Sequence, residues 1–384
     1  MSRARYLVSE AGQSALAAHA ALDPADPVRL AAALRRELPP AEAAAVAEQL
    51  TLRARASKNH GREGSWLYTA EGIEMMTHPL VASRRAARLA ALGLPVVDLT
   101  CGLGADLAAA KEAGLPAVGM DRDPVHALLA AHNAGAPTAR GDAARPPFPL
   151  AEAAVILDPS RREGGTRRFA PEGFSPPWDV VLRLAAEARA AVIKAPPGID
   201  PEHVPASAEV EAVQLGTSMR EVTVWLGAGA APGLRRAVLL PSGATIESTD
   251  PQAAVEAVPP GAFLVDPESC VTRATLVRHL AYRLEARLLD PHIAYLTAQL
   301  PAFSPLAATF EVLDAMPFSL ARLKERLRKG GWRPVDIRRR AFPVEPDELR
   351  RLLGKLEGEP VALLLTTLAG QRMVFIAKRL FPAA

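Results

Sequence analysis

The chain has 384 residues, of which 49% are apolar, and its 45 basic and 42 acidic residues leave a net charge of only +3 at pH 7. There is room for two or three globular domains, and no apolar stretch approaches the roughly 18 residues that a membrane-spanning helix needs. The two cysteines, Cys101 and Cys270, are too few for a disulfide framework or for a zinc site built from thiolates. We therefore expect a cytoplasmic protein with neither a membrane span nor a metal site.

The first 65 residues predict a helical region. Apolar residues recur at helical spacing in three stretches, at residues 12–22, 26–38 and 40–57. This region contains no cluster of acid–base or metal-binding residues, so we interpret it as a helical cap or a substrate-side appendage. The polar, glycine-rich segment 57–72 then predicts a linker, and helical spacing returns over residues 73–92.

The segment Val96–Asp106 predicts a strand, a tight turn and a helix. An apolar run ends at Asp98, Gly102 and Gly104 form a Gly-x-Gly turn, and helical spacing begins at Leu107. Glycines permit positive φ angles and carry no Cβ, so a ligand can lie against backbone N–H groups at the start of the helix. Such a turn also occurs where a strand and a helix merely pack closely, so the glycines alone leave both interpretations open.

Further acidic residues follow apolar runs. Ala117–Met120 precedes Asp121, which lies about 20 residues past the turn, where a doubly wound fold places the acid that binds ribose hydroxyls. Ala153–Leu157 precedes Asp158, and Asp142 lies in the loop before that run. Packing does not explain acids at the ends of successive strands, so these residues predict a binding site at one edge of a sheet.

The order of these motifs resembles that of class I S-adenosylmethionine-dependent methyltransferases. In chain order they are Asp98-Leu-Thr-Cys-Gly-Leu-Gly-Ala-Asp106, Gly119-Met-Asp-Arg-Asp-Pro124, Gly141-Asp142 and Asp158-Pro-Ser-Arg-Arg162. The last motif, with Arg167-Arg168-Phe169 and Lys194-Ala-Pro-Pro-Gly-Ile-Asp200, is more specifically similar to a bacterial branch with a C-terminal THUMP-like domain. The resemblance spans roughly residues 60–384. It implies an α/β fold with a Rossmann-like doubly wound sheet, and S-adenosylmethionine as cofactor.

The resemblance implies roles for the acids and glycines around the cofactor. Asp98, Gly102 and Gly104 would frame its amino-acid end. Asp121 would bind the ribose hydroxyls, and Asp142 would meet the adenine amino group.

The segment Tyr68–Pro79 matches a part of the family that borders the cofactor. Glu71 and Thr77 are therefore implied contacts of the methionine end. The alternative is an ordinary helix start with Thr69 as the N-cap residue.

Asp158 and the carbonyl of Pro159 would face the methyl acceptor as the catalytic residues. Enzymes that methylate base amino groups usually have two prolines and an aromatic residue here, whereas this chain has Ser160 and Arg161. That departure argues against amino methylation of a base. The motif is also similar to the Asp-Pro-Pro-Arg of uracil-C5 methyltransferases, but those enzymes need a cysteine beyond the fifth strand, where residues 194–200 have none.

The loop 159–177 is long for a strand-to-helix connection, and such loops are usually functional or mobile. It contains four candidate substrate-binding arginines, Arg161, Arg162, Arg167 and Arg168. Guanidinium groups beside the cofactor would suit the phosphates of a substrate, and a solvated charge run is the alternative. Lys194, at the end of the predicted strand Ala191–Lys194, is either a further substrate-binding cation or a residue that only caps the sheet edge.

The middle of the chain predicts a mixture of short strands and two helices. The predicted strands are residues 211–215, 221–226, 237–240 and 243–246, and the predicted helices are Thr272–Leu288 and His292–Ala298. Asp290-Pro-His292 is interpreted as a turn or an N-cap before the second helix.

The last part, residues 307–380, predicts a small α+β unit with a strongly basic surface. Strands are predicted at 310–313, 334–338, 361–365 and 371–377, and helices at 320–328 and 346–356. Its basic residues are Arg322, Lys324, Arg326, Arg328, Lys329, Arg333, Arg338, Arg339, Arg340, Arg350, Arg351 and Lys355, and five acids lie among them. The surplus favours RNA binding over a solvated charged face. THUMP domains bind RNA in the enzymes that carry them, as the resemblance also implies.

The sequence therefore predicts a cytoplasmic S-adenosylmethionine-dependent methyltransferase that acts on RNA. The predicted parts are a helical region at 1–65, a cofactor-binding methyltransferase domain at 66–230, a connecting β/α region at 231–302 and a THUMP-like basic domain at 303–384. One alternative is a non-catalytic RNA-binding protein that retains the fold. The other is an NAD-dependent oxidoreductase. Two features argue against it, because the turn lacks the third glycine of dinucleotide-binding turns and is preceded by Asp98, which is unlike most of those turns.

Overall fold

The computed structural model describes residues 1–61, 64–161, 173–196, 199, 201–250 and 253–380. The chain divides into two compact units, Met1–Glu209 with Arg220–Pro232 and Val210–Met219 with Gly233–Ala384. Within the described ranges, no helix is both long enough and apolar enough to cross a membrane. The four-part division of the sequence stays a prediction.

Among the described residues, six helices precede the first strand: α1 (Ser2–Val8), α2 (Glu10–Ala18), α3 (Pro27–Leu34), α4 (Pro40–His60), α5 (Ala70–Met75) and α6 (Pro79–Ala90). The three predicted helical stretches are confirmed as α2, α3 and α4, and α1 was not predicted. The helix predicted at 73–92 is two helices. Pro79 begins the second of them with His78 as its N-cap, because proline cannot continue a helix but suits its first turn.

The sheet of the first unit alternates with helices. Its elements are β1 (Val96–Asp98), α7 (Ala105–Glu112), β2 (Ala117–Asp121), α8 (Pro124–Ala134), β3 (Thr138–Arg140), β4 (Ala154–Leu157), β5 (Ser160–Arg161), β6 (Phe174–Ser175), α9 (Trp178–Glu187), β7 (Ala190–Ala195) and, beyond the next strand, β9 (Ser218–Gly227). The strand order is β9–β7–β4–β1–β2–β3, and all pairs are parallel except β7 with β9. A two-stranded ribbon, β5–β6, stands apart from the sheet.

The direction of the crossovers gives this sheet its doubly wound form. From β1 the chain moves through α7 to β2 and through α8 to β3, whereas β4–α9–β7 runs in the opposite direction. Since such crossovers are right-handed, α9 covers the other face of the sheet. Every residue of β4 is buried, as expected for a continuous apolar strand in a sheet that helices cover on both faces. The predicted Rossmann-like α/β fold is confirmed.

The N-terminal helices share a core with the helices of the sheet. Leu16, Leu34 and Val46 are buried in the same cluster as Leu103 and Leu129, which lie just before α7 and within α8. The predicted helical N-terminal region therefore packs on the outer side of α7 and α8.

The second unit contains two groups of strands. Its elements are β8 (Glu209–Leu215), β10 (Arg235–Leu240), β11 (Ala244–Ser248), β12 (Phe263–Pro267), α10 (Ser269–Arg273), α11 (Val277–Arg283), β13 (Arg287–Asp290), β14 (Ile293–Ala298), β15 (Ala307–Pro317), α12 (Leu320–Gly330), β16 (Trp332–Arg339), α13 (Pro346–Leu353), β17 (Glu359–Leu368) and β18 (Gln371–Arg379). Strand β10 pairs with β8 and β11, and a seven-stranded sheet has the order β13–β14–β12–β15–β18–β17–β16.

Two helix predictions in this unit are wrong. Residues 292–298 form most of β14, and the predicted helix 272–288 breaks into the end of α10, α11 and the start of β13. The run Ile293–Ala298 is short and apolar, and such a run has no period that separates a buried strand from a helix. Asp290-Pro-His292 forms the turn between β13 and β14, where the Asp290 carboxylate accepts from the His292 N–H at 2.8 Å.

The strands and helices predicted for the last part of the chain are confirmed as β15, α12, β16, α13, β17 and β18. Helices α12 and α13 pack on one face of the sheet, because Leu323 and Leu327 share a buried core with Leu349 and Leu353. Their exposed sides therefore lie on the same side of the unit.

The seven-stranded sheet is strongly curved. Asp266 in β12 accepts from Arg338 in β16 at 2.8 Å and from Arg340 at 2.9 Å, although three strands separate β12 from β16. In a flat sheet these strands would lie about 19 Å apart, at about 4.8 Å per strand. Burial alone would lower the pKa of Arg338, but Asp266 and Asp336 hold it above its usual range.

Candidate active site

The first unit contains a cavity of about 880 Å³ beside the carboxyl ends of β1, β2, β4 and β7. This is the point where the crossovers reverse direction, and it is where open α/β sheets bind ligands. The volume lies within the usual range for small-molecule sites. Its lining residues are Glu71, Gly72, Met75, Met76, Thr77, Leu99, Thr100, Cys101, Gly102, Leu103, Ala105, Asp106, Asp121, Arg122, Asp123, His126, Asp142, Ala143, Asp158, Ser175, Pro176 and Lys194.

The Gly-x-Gly turn forms one wall of this cavity. Gly102 and Gly104 have φ angles of 52° and 85°, which side chains rarely tolerate. A Cβ at Gly104 would approach the Cα of Ala130 in α8 to 3.1 Å, so glycine is needed there for close packing. A Cβ at Gly102 would meet no atom within 4 Å, so that residue leaves space for a ligand to lie against the backbone.

The Asp121 carboxylate is held in place by two backbone groups. One of its oxygens accepts from the N–H of Gly102 at 2.9 Å and the other from the N–H of Asp123 at 2.8 Å. Each carboxylate oxygen retains acceptor capacity, which suits a pair of vicinal hydroxyls. Asp142 also lines the cavity, and its carboxylate accepts from the N–H of Ala144 at 3.0 Å.

Asp98 and Gly104 do not belong to the cavity lining. Asp98 is buried at the end of β1, where its carboxylate accepts from the N–H of Thr100 at 3.1 Å. Burial raises the pKa of Asp98 to about 6, even though the ammonium group of Lys194 and the Thr100 N–H act in the opposite direction. Asp98 therefore stabilises the Gly-x-Gly turn from the protein interior and does not contact the cavity.

Asp158 lines the cavity, and its backbone position is fixed by the turn. Its N–H donates to the Thr100 hydroxyl at 2.6 Å, and its side chain is 40% exposed. Pro159 is buried and is absent from the described lining. The backbone of Arg161 pairs with Phe174 in the β5–β6 ribbon.

Most of the predicted arginine cluster falls outside the described part of the chain. Arg162, Arg167 and Arg168 lie outside the described residues, as does the side chain of Arg161. Their contact with substrate stays a prediction.

Lys194 lies in a network of buried charges. Its Nζ donates to Asp158 at 2.9 Å and to the Thr77 hydroxyl at 2.6 Å, and it forms an ion pair with Asp106 at 2.7 Å. Asp106 also forms an ion pair with Arg85, whose guanidinium reaches Glu221 in β9.

The sequence motifs predicted no role for Asp106, Arg85 or Glu221. The sequence does contain a signal for Arg85, because this residue lies on the apolar face of α6 beside Ala82 and Leu89. A charge buried on such a face requires a partner of opposite charge. No comparable signal marks Glu221.

Other lining residues clarify the chemistry. Cys101 is buried at the cavity wall, and burial, followed by the nearby Asp98 and Asp121, raises the pKa of its thiol far above the usual range. It is therefore not a thiolate nucleophile. Thr69 is the N-cap of α5, with its hydroxyl accepting from the Gly72 N–H at 2.9 Å. Within the described ranges, no three His, Cys, Asp or Glu side chains form a group that could hold a metal ion.

These residues fit S-adenosylmethionine. The open space beside Gly102 would take a ligand against the backbone, and the carboxylate of Asp121 would accept from two ribose hydroxyls. The lining carries five aspartates and Glu71 against Arg122 and Lys194, which favours a cationic ligand.

Comparison with known proteins agrees with this arrangement. A family model described as THUMP domain-like matches residues 307–379, and one described as a domain of unknown function (DUF8688) matches residues 1–56. The crystal structure of a candidate methyltransferase from Porphyromonas gingivalis W83 is 20% identical, with a TM-score of 0.74 over 99% of this chain and 98% of that one. This similarity shows a common fold.

Two relatives come from Mycobacterium tuberculosis, strains CDC 1551 / Oshkosh and ATCC 25618 / H37Rv, and each is named an uncharacterized S-adenosylmethionine-dependent methyltransferase. Each is 37% identical over 309 residues, which cover 78% of this chain and 84% of the relative. The chain belongs to the S-adenosylmethionine-dependent methyltransferases.

Proposed function

We propose that this enzyme methylates RNA, which it binds through the THUMP-like segment 307–379. The observation that carries the proposal is the match of this segment to the THUMP domain-like family in the most basic part of the chain. THUMP domains bind RNA in the enzymes that carry them, as the sequence resemblance implies. Neutralisation of RNA phosphates by lysine and arginine would supply affinity without demanding a sequence.

The charges of this segment support the proposal once ion pairs are taken into account. Six of its twelve predicted basic residues bind carboxylates within the protein: Arg326, Lys329, Arg338, Arg339, Arg340 and Arg350. Five others form no ion pair with any carboxylate in the described ranges: Lys324, Arg328, Arg333, Arg351 and Lys355. Lys324 and Arg328 are on α12 and Arg351 is on α13, so a backbone could contact both helices on their common side.

The cavity would then align the acceptor with the cofactor. S-adenosylmethionine supplies an activated methyl group, so the protein has chiefly to bind, orient and exclude water. Asp121, Asp142 and the Gly102 backbone would hold the cofactor. Asp158 would face the acceptor and accept hydrogen bonds from it. The predicted role of the Pro159 carbonyl has no support from the cavity, because Pro159 is buried and absent from the described lining.

The first test identifies the acceptor. Purified protein is incubated with methyl-labelled S-adenosylmethionine and with RNA, DNA and protein fractions from a strain that lacks the gene. We expect label that RNase releases and that DNase and protease leave in place. Label confined to protein, DNA or small molecules would refute RNA as the acceptor.

The second test asks whether α12 contacts RNA. The double variant Lys324→Glu/Arg328→Glu should raise the KM for RNA by at least tenfold, because two phosphate contacts are lost, while S-adenosylmethionine binding is unchanged. Arg183→Glu/Arg189→Glu changes the net charge equally in the first unit, on residues that do not line the cavity. An equal effect of both double variants would show only a general response to charge.

The predicted cytoplasmic location and the boundaries of the THUMP-like domain at 303–384 are part of this proposal. They rest on the sequence features given above. Fluorescence microscopy of a tagged protein in its host would test the location.

A further inference from the structure

The ammonium group of Lys194 is surrounded by three oxygen atoms of the protein. Lys194 donates hydrogen bonds to the Thr77 hydroxyl at 2.6 Å and to the Asp158 carboxylate at 2.9 Å, and it forms an ion pair with Asp106 at 2.7 Å. Its side chain is only 12% exposed. A cation that bound RNA phosphates would have to give up one of these contacts.

The three partners of Lys194 are themselves held in place. The Thr77 hydroxyl accepts from Lys194 and donates to Asp106 at 2.9 Å, which uses its single proton. The other oxygen of Asp106 binds Arg85, and Arg85 also binds Glu221. Arg85 and Asp106 are 3% and 5% exposed, so these links are sheltered from solvent and from salt.

The resulting series of alternating charges runs from Glu221 in β9 through Arg85, Asp106 and Lys194 to Asp158. It contains three carboxylates and two cations, so it carries a net negative charge. An anionic phosphate would be repelled from it. Only the last member, Asp158, is substantially exposed in the cavity.

Asp158 is thereby fixed at two points. Its N–H donates to the Thr100 hydroxyl, and its Oδ2 accepts from Lys194, which leaves Oδ1 as the less constrained oxygen at the cavity. We propose that Lys194 is a positioning residue for methyl transfer, which holds the Asp158 carboxylate so that Oδ1 meets the acceptor, and that it does not bind the substrate. This inference rests on the proposed role of Asp158, but not on RNA being the acceptor.

Steady-state kinetics of Lys194→Met test the inference. Met has a similar shape but no donors, so Asp158 loses its support. We expect kcat to fall about 100-fold, the size of effect that a misplacement of about 1 Å produces, with a KM for the acceptor within threefold of the wild type. The salt dependence of KM should be unchanged. Arg189→Met, at an exposed residue that follows α9, removes the same charge outside the cavity and should leave both constants unchanged.

A second pair of variants keeps every charge in place. Thr77→Val removes the hydroxyl that bridges Lys194 and Asp106, and it should lower kcat about tenfold, while Thr77→Ser should recover most of that loss. This pair remains informative if Lys194→Met fails to fold. The affinity for S-adenosylmethionine, measured by calorimetry, should stay within threefold in Lys194→Met.

A raised KM with unchanged kcat, together with a weaker salt dependence, would show that Lys194 binds the substrate and would overturn the inference. A tenfold loss of cofactor affinity in Lys194→Met would also overturn it, since Lys194 would then contact the cofactor. Label that resists RNase would refute RNA as the acceptor, but it would not refute the positioning role of Lys194. The same kinetic comparison is then made with the fraction that carries the label.

Discussion

Replacing the buried Asp98 by Asn should change how the stability of the first unit depends on pH. Burial raises the pKa of Asp98 from 3.8 to about 6 in the folded protein. The folded state therefore takes up this proton at a higher pH than the unfolded state does. The stability contributed by Asp98 rises as the pH falls through about 6, and it is lost as the pH rises through the same value.

The two pKa values give the size of the effect. Between pH 7.5 and pH 5.0 the wild type should gain about 1–2 kcal/mol in unfolding free energy from Asp98 alone, because below about pH 6 the folded state binds a proton that the unfolded state does not yet bind. Asp98→Asn carries no charge at either pH. The wild-type unfolding free energy minus that of the variant should therefore be about 1–2 kcal/mol larger at the lower pH. Any constant cost of packing the amide cancels in this comparison.

Urea unfolding followed by tryptophan fluorescence measures this difference. Trp66, Trp178 and Trp225 are in the first unit and Trp332 is in the second, so a Trp332→Phe background reports on the first unit alone. Asp142→Asn, which removes an exposed carboxylate of the same unit, is the control for the loss of one negative charge. A difference between wild type and Asp98→Asn that is equal at both pH values would refute the reasoning.

Four further outcomes are expected. Asp121→Ala should weaken S-adenosylmethionine binding by about 2–4 kcal/mol in calorimetry, because one or two charge-assisted hydrogen bonds are lost, and unchanged affinity would contradict the cofactor assignment. Asp158→Ala should keep cofactor binding but abolish methyl transfer in the labelling assay. Iodoacetamide at pH 8 should leave Cys101 unmodified until urea unfolds the protein, as mass spectrometry would show. Asp266→Ala should lower the unfolding free energy of the second unit by about 3–5 kcal/mol, because two arginines lose their partner, and a loss below 1 kcal/mol would argue against the buried pairing.

The parts of the site that the sequence revealed are those set by short-range spacing. A Gly-x-Gly turn and acids that follow apolar runs place Gly102, Asp121, Asp142 and Asp158 beside one cavity, because the carboxyl ends of parallel strands meet at one edge. The charges that support Asp158 were not predictable in this way. Arg85 meets Glu221 across 136 positions of sequence, and no local pattern encodes such a contact.

The same limit explains the errors in the second unit. The run 293–298 is too short for its periodicity to separate strand from helix, and its pairing with β12 and β13 decided its conformation. In residues 307–380, by contrast, alternation and helical spacing are regular. Each predicted element there is confirmed, because local preference and tertiary packing agree.

The curvature of the seven-stranded sheet determines how much chain is needed to fold the THUMP-like segment. The matched segment begins at residue 307, whereas Asp266, which binds Arg338 and Arg340, lies in β12, the neighbour of β15. A fragment that started at residue 307 would expose the edge of β15 and leave two guanidinium groups without their carboxylate. The piece that could be transplanted between proteins as a self-sufficient module therefore reaches back at least to Phe263.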